Sequence, residues 1–442
     1  MLAEVALPIK LTFQLWLRFW PQLVAMVLLG LLVSDFLMWL SVKAAFINHY
    51  AGLGLLTLVA LTQLVTTVSM IQIVRPGLPS ISAAQATAQR EADGARPERG
   101  LSRLATIIAV ALLPFFAYYA AWGFLGDTIR QYSRLALSYA PLGESGNVLD
   151  VLDSKWLILS VAVSWVVRKF AQIMKERTGR SIWQIIVVVC ETNWIFIGLY
   201  VISRWKDTFL AWLTTRNIGN LFEGLWTSIE FPIATAHAAT IIPVEQSSVS
   251  VSTTIIGLFF YALLPVIWLV MVALVYGYDV RDDKELMRIH HRIERFGERY
   301  KAIPKFLRDF VEHFIGGYRS RYLPIANGVR LTLNSGLLLI ITLIVGYRLI
   351  DWAAAWAWIG ATRLIGPLAL DYWQVISHGV SLLFGSPFQD SSTGILVEPL
   401  RICFLAAVLE TAFSMTRKVT SRAHAVAAAP AMDGQLGTAN RK

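Results

Sequence analysis

Residues 53–74 read LGLLTLVALTQLVTTVSMIQIV, a run of twenty-two positions without a charged side chain. About 20 helical residues cross the roughly 30 Å hydrocarbon core of a bilayer, and a chain in that solvent must satisfy its backbone groups within itself. The run therefore predicts a membrane-spanning helix. Seven more apolar stretches of similar length accompany it, at Leu23 to Val42, Leu104 to Leu125, Trp156 to Met174, Ile182 to Ile202, Ile255 to Val275, Leu331 to Ile350 and Ile395 to Met415. Their continuity excludes a β-barrel, whose strands alternate apolar and polar over short segments. Apolar residues make up 56% of the chain and charged ones 15%, where a soluble domain carries about a quarter charged. The expected fold is an all-α polytopic membrane protein with about eight transmembrane helices. One membrane domain, 1–425, is followed by a disordered cytoplasmic tail, 426–442.

The last stretch differs from the others. Glu398, Arg401 and Glu410 interrupt it and its unbroken apolar core, Ile402 to Leu409, is short, so it reads as a span or as a re-entrant or interfacial piece. Orientation follows from Lys and Arg, which gather on the cytoplasmic side. With the N-terminus inside, 29 of the 39 basic residues fall on that side and 9 on the other, with Arg401 between. Both termini are then cytoplasmic, and the protein is expected in the cell inner membrane. The net charge of +10 is mostly this asymmetry, together with weak contact with anionic head groups. No basic stretch interleaved with aromatics points to nucleic acid. The first apolar stretch is expected to be retained, because it is membrane-spanning in length and follows Trp16, Arg18 and Trp20. Cys190 and Cys403 both lie in expected spans, which implies neither a disulfide framework nor a zinc cluster; they read as small packing residues.

Three connections are long. Arg75 to Arg103, RPGLPSISAAQATAQREADGARPERG through position 100, has the composition of a flexible linker. The outer segment Trp205 to Ile229 spaces Phe209, Trp212, Leu213, Leu221, Phe222, Leu225 and Trp226 as surface helices would. The outer segment Asp351 to Phe388 carries Trp352, Trp356, Trp358 and Trp373, suited to an interface, or else conceals a re-entrant loop around Pro367. On the cytoplasmic side, 278–327 places Leu286, Ile289, Ile293 and Phe296 on one helical stripe. That stripe predicts a docking surface for a cytosolic or membrane protein partner, or a helix packed on its own bundle and the lipid bilayer. A second helix follows from Pro304 to the stop at Gly316-Gly317. The two halves of the chain differ in loop lengths, so no inverted repeat is expected.

Polar groups within the spans are the candidate functional residues, because a charge at the bilayer centre costs several kcal/mol. Asp35 and Glu191 each fall about 13 to 18 Å from the cytoplasmic edge of their helices. Glu191 heads the patch Cys190-Glu191-Thr192-Asn193. Thr62, Thr66 and Ser69 share a face of the second span with Gln63 and Thr67 beside it, and Asn334-Ser335-Gly336 opens the seventh. These groups suggest a hydrated path with a carboxyl as proton carrier; Arg401 and Glu410 join the set. The same residues also suit plain helix packing. Arg401 is nearest Asp35 by depth but is expected to snorkel outward from the first turn of its helix, and Arg168 near a span end reads the same way.

Soluble-enzyme signatures are missing: there is no phosphate-binding loop, HExxH, GxSxG or dinucleotide fingerprint. No cofactor is implied. The acids Asp279, Asp282 and Asp283, as a Mg²⁺ site for a phosphorylated lipid, and His237 or His378, as bases, leave a lipid-modifying enzyme open. Two other functions stand ahead of it. One is passage of a solute, ion or lipid through the bundle, for which Pro114 and Pro265 offer kinks. The other is a non-catalytic subunit or scaffold of a secretion, envelope-assembly or division complex.

Overall fold

The computed structural model describes residues 2–83, 104–116 apart from 110, 113 and 114, 124–139, 156–178, 182–198, 251–277, 337–385 apart from 368, and 394–428. Among the described residues there is no strand, and nearly all are helical. In chain order the helices are α1 (Leu2–Ile47), α2 (His49–Val74), α3 (Phe124–Tyr139), α4 (Trp156–Thr178), α5 (Ile182–Gly198), α6 (Val251–Gly277), α7 (Leu337–Ile365), α8 (Leu370–Phe384) and α9 (Val397–Ala428). Residues 104–109 and the described positions to 116 are also helical. The stripe Leu286, Ile289, Ile293 and Phe296 with the rest of 278–327, the outer segment 205–229, His237, Pro114 and Asn334-Ser335-Gly336 lie outside the described residues.

Among the described residues, three helices are long and apolar enough to cross a membrane: α1, α2 with the residues just after it, and α7. Shorter apolar helical stretches among the described residues lie in α5, Ile182–Gly198, and α6, Tyr261–Tyr276.

Several boundaries move. α1 starts at Leu2 instead of Leu23, because Lys10, Trp16 and Arg18 are all compatible with a helix. At 46 residues it is about 69 Å long. Leu125, taken as the end of the third span, belongs to the amphipathic α3, which buries Thr128 and Tyr132 and exposes Arg130 and Arg134. α9 continues to Ala428, so the expected disordered tail is helical over its first three residues.

α1 and α2 form an antiparallel hairpin. The Ser41 hydroxyl donates to the Gly52 carbonyl near its closed end (2.7 Å), and Gly30 lies so close to Thr66 that any side chain there would collide with it. α9 packs into this hairpin and against α7 and α6. The expected eighth span thus proves to be the interior helix of the described fold. All eight residues from Ile402 to Leu409 are at most 3% exposed. Its low hydropathy reflects charges that find partners inside the bundle, described next, and an interior helix need not be apolar all round where its charges are paired.

The largest departure concerns the outer segment after Ile350. α7 does not stop there; it continues to Ile365, which puts Asp351 at its middle. Gly366, in the left-handed region at φ 74°, and Pro367 make the turn, and α8 returns beside the second half of α7, where Trp358 Nε1 donates to Ser381 Oγ (3.0 Å). α8 ends at Gly385, φ 84°. The chain then re-enters at Gly394, packed on the backbone of Phe384 and Gly385. Ile395 and Leu396 N–H groups donate to the Leu382 and Leu383 carbonyls (2.9 and 3.1 Å), and α9 begins. It runs along the first half of α7, with Phe404 against Gly346 and Arg401 against Asp351. α8 and α9 together thus form one discontinuous helix antiparallel to α7, broken level with the middle of α7.

Candidate functional site

Four charges gather at that break. Arg401, one turn into α9, donates from Nε and Nη2 to Asp351 Oδ1 (2.9 and 2.7 Å) and from Nη1 to Glu398 Oε2 (3.1 Å). Arg348, one turn before Asp351 on α7, reaches Asp351 Oδ2 (3.2 Å). Two guanidinium groups and two carboxylates make a neutral set, each carboxylate engaged by at least one charge-assisted bond. All four side chains are less than a quarter exposed, and Tyr347 packs its ring 5.8 Å from Arg401. Arg401 therefore does not snorkel outward as the sequence suggests, because two acids hold it in place.

Arg348 also leaves its own helix. Its Nε donates to the backbone carbonyl of Tyr261 in α6 (3.2 Å), Nη2 joins at the same oxygen, and the guanidinium lies over the Tyr261 ring. The reason is in the sequence: residue 265, whose N–H would serve the Tyr261 carbonyl in a regular helix, is proline. One arginine thus satisfies a carbonyl that proline left open and joins α6 to the charges of α7 and α9.

Of the residues singled out from sequence, Arg401 lies in this set and the others fall elsewhere. Glu191 on α5 has the partner it lacked there: Arg168 of α4 donates from Nη2 and Nε to Glu191 Oε1 (2.8 and 3.1 Å), so Arg168 is an inward ion-pair member and not a snorkelling end. Beside it Asn193 Nδ2 donates to Ser164 Oγ (2.7 Å). Glu410, on the buried face of α9, accepts from the backbone N–H groups of Ser80 and Ile81 (2.6 and 3.2 Å). Those amides open a helical turn at 79–83, where the dipole favours an anion. Residues 75–83 are consequently no flexible linker. A 3₁₀ turn at Arg75–Gly77 bends the chain, Gly77 packs on Leu15 and Phe19, and Leu78 and Ile81 are buried. Close by, the Tyr276 hydroxyl donates to the Ile71 carbonyl at the end of α2 (2.6 Å).

Asp35 is exposed on the outer side of α1 among Leu32, Phe36 and Trp39, with the His378 imidazole of α8 within electrostatic reach. The hydroxyls expected to line a path bond back to their own helix: Thr62 to the Leu58 carbonyl, Thr66 to Thr62 and Thr67 to Gln63, at 2.8 to 3.0 Å. Cys190 and Cys403 are buried free thiols. No group of three His, Cys, Asp or Glu side chains is arranged for a metal among the described residues.

Sequence reasoning missed Asp351, Arg348, Glu398 and Tyr261 as members of one site. The signal available was Pro265 inside an apolar run, which announces a free carbonyl four residues earlier. The chain matches no known protein family, no curated protein and no solved structure.

Proposed function

We propose that this protein is a multi-pass protein of the cytoplasmic membrane that carries a solute, ion or lipid across it, with the break between α8 and α9 as its working site. The observation that carries the reading is the discontinuous helix. A helix interrupted at the middle of its neighbour is costly in hydrocarbon unless its ends are met by protein groups, and transporters place such breaks at their substrate sites near the midplane. Here the break is ringed by Arg348, Asp351, Glu398 and Arg401, a charge set that can exchange partners without leaving a bare charge behind. In this reading α8 and α9 form the eighth crossing, and both termini are cytoplasmic. Cysteines introduced at Ala95 and Gly317 of a cysteine-free variant then resist an impermeant thiol reagent in intact cells while one at Ser247 reacts; the reverse pattern refutes the topology.

The functional test uses purified protein in liposomes, read with a pH-sensitive dye under imposed ion gradients and with a fluorescent phospholipid for transbilayer movement. Flux of one of these probes is expected above that of empty liposomes, and Asp351→Asn is expected to abolish it while the protein remains folded. Absence of any flux, or flux indifferent to Asp351→Asn and Arg401→Lys, overturns the reading.

The subunit reading has its own support in Asp35. A carboxyl on the outward face of a spanning-length helix is expensive against lipid, and a protein neighbour over Leu32, Phe36 and Trp39 removes that cost. Co-purification of a stoichiometric partner in mild detergent, lost on Asp35→Leu, favours it over transport by the single chain.

A further inference from the structure

We infer that Arg348 is the bolt of a proline hinge in α6: it supplies the hydrogen bond that Pro265 denies to Tyr261, and through Asp351 it couples that hinge to the break between α8 and α9. The inference concerns how the helices are linked and stands whether or not the protein moves a solute.

Three observations meet at one guanidinium. Proline has no N–H to offer the carbonyl four residues back. Tyr261 is 53% exposed, and on the membrane-crossing helix of the proposed function such an open carbonyl faces lipid, where leaving it unpaired is costly, so a donor from outside the helix is favoured. Arg348 provides two, and its stacking on the Tyr261 ring holds it over that turn. The remaining nitrogen, Nη1, is spent on Asp351. Asp351 in turn takes two bonds from Arg401, whose last nitrogen reaches Glu398 in the first turn of α9. That turn is sewn to α8 by the Ile395 and Leu396 amides. A continuous chain of bonds therefore runs from Tyr261 to the neck of the broken helix. Any rearrangement of α6 at Pro265 that withdraws the carbonyl frees Arg348 to shift toward Asp351, and Arg401 must then redistribute between its two acids. A lysine at 348 can serve the carbonyl or the carboxylate but cannot span both with the same geometry.

The test is a double-mutant cycle of Arg348→Met and Pro265→Ala in the full-length protein in lipid nanodiscs, read by hydrogen–deuterium exchange. Peptides covering 258–268 report the hinge and those covering 394–401 the neck. In Arg348→Met both are expected to exchange about tenfold faster, the size of one hydrogen bond to a charged donor. In the Pro265→Ala background the added amide serves Tyr261, so removing Arg348 should leave the hinge peptide protected while the neck still loosens. Equal loosening of the hinge with and without Pro265 refutes the carbonyl role. A neck that ignores Arg348→Met in both backgrounds refutes the coupling. If Arg348→Met does not fold, Arg348→Lys takes its place: a faster-exchanging hinge with a smaller change at the neck is expected, and protection of the hinge equal to that of the native protein overturns the bolt.

Discussion

Arg401 and Glu410 lie nine residues apart on α9, about 13 Å along the same buried helix, and they are held in opposite ways. Arg401 shares its five donors between two acids on two helices, one of which is itself shared with Arg348. Glu410 meets no described cation at hydrogen-bond distance; it accepts from two backbone amides of a turn packed under α1. The first arrangement has alternatives, since each charge keeps a partner if one bond breaks. The second has none, because backbone amides cannot reorient without unwinding the turn. A network with alternatives suits movement, and a carboxylate fixed on backbone suits anchoring.

The largest effect should follow from removing the shared charge. Arg401→Met leaves Glu398 without its guanidinium and Asp351 with Arg348 alone, and loss of one member of a buried ion pair costs about 3 to 5 kcal/mol. Unfolding in mixed micelles checks this. The sharper part of the expectation is that Arg401→Lys, which keeps the charge but not the fork, recovers most of the stability and little of the flux. Full recovery of both would make the charges around Arg401 an anchor like Glu410 and dissolve the contrast.

Next in size is Glu410. Glu410→Ala leaves two amides of a docked turn unserved and is expected to cost about 2 to 3 kcal/mol, whereas Glu410→Gln keeps an accepting oxygen and should cost about half as much. Flux in the Gln variant should match the native protein, because an anchor only has to hold. A Gln variant that is stable and silent would move Glu410 from the anchoring class into the working one. Gly77→Ala should fall slightly below Glu410→Ala, at about 1 to 3 kcal/mol from overpacking against Leu15 and Phe19, and should weaken the same turn without touching a charge.

The two ends of α9 also differ in how far the sequence revealed them. Apolar runs announced α1, α2, α6 and α7 because burial in any apolar solvent, lipid or protein, selects the same side chains. The same logic misjudged α9, where Glu398, Arg401 and Glu410 lower the hydropathy although Cys403, Ala406 and Leu409 are fully buried. Hydropathy sums residues singly and cannot see that a charge has a partner fifty or three hundred positions away. From sequence, Asp351 opens an outer segment after a span ending at Ile350 for the same reason: Arg348 and Asp351, three residues apart, look like a helix ending in water. Glu191 and Asp35 stand out in the sequence as acids within apolar stretches, but the partner of Glu191, Arg168, shows there only as a charge near the end of another stretch. The break between α8 and α9 had a hint in Gly385 and Gly394, small residues that let two stretches of backbone touch; their meaning depends on α7 running straight past Asp351.

The smallest expected effect lies in α2, and it separates packing from passage. If Thr62, Thr66 and Thr67 lined a hydrated path, removing a hydroxyl would take away a ligand for water or an ion and flux would fall. Each hydroxyl instead returns to a carbonyl of its own helix, and Thr66 fits against Gly30 at a close contact of α1 and α2. Thr66→Val keeps the branched shape and gives up a bond that competes with water only weakly, so stability should change by no more than about 1 kcal/mol and flux should be unchanged. Thr66→Leu, which adds bulk at the same contact, should instead cost about 1 to 3 kcal/mol by pushing the hairpin apart. Loss of flux in Thr66→Val with stability intact would return the conduction path to the face of α2 and leave the charges around Asp351 as scaffolding.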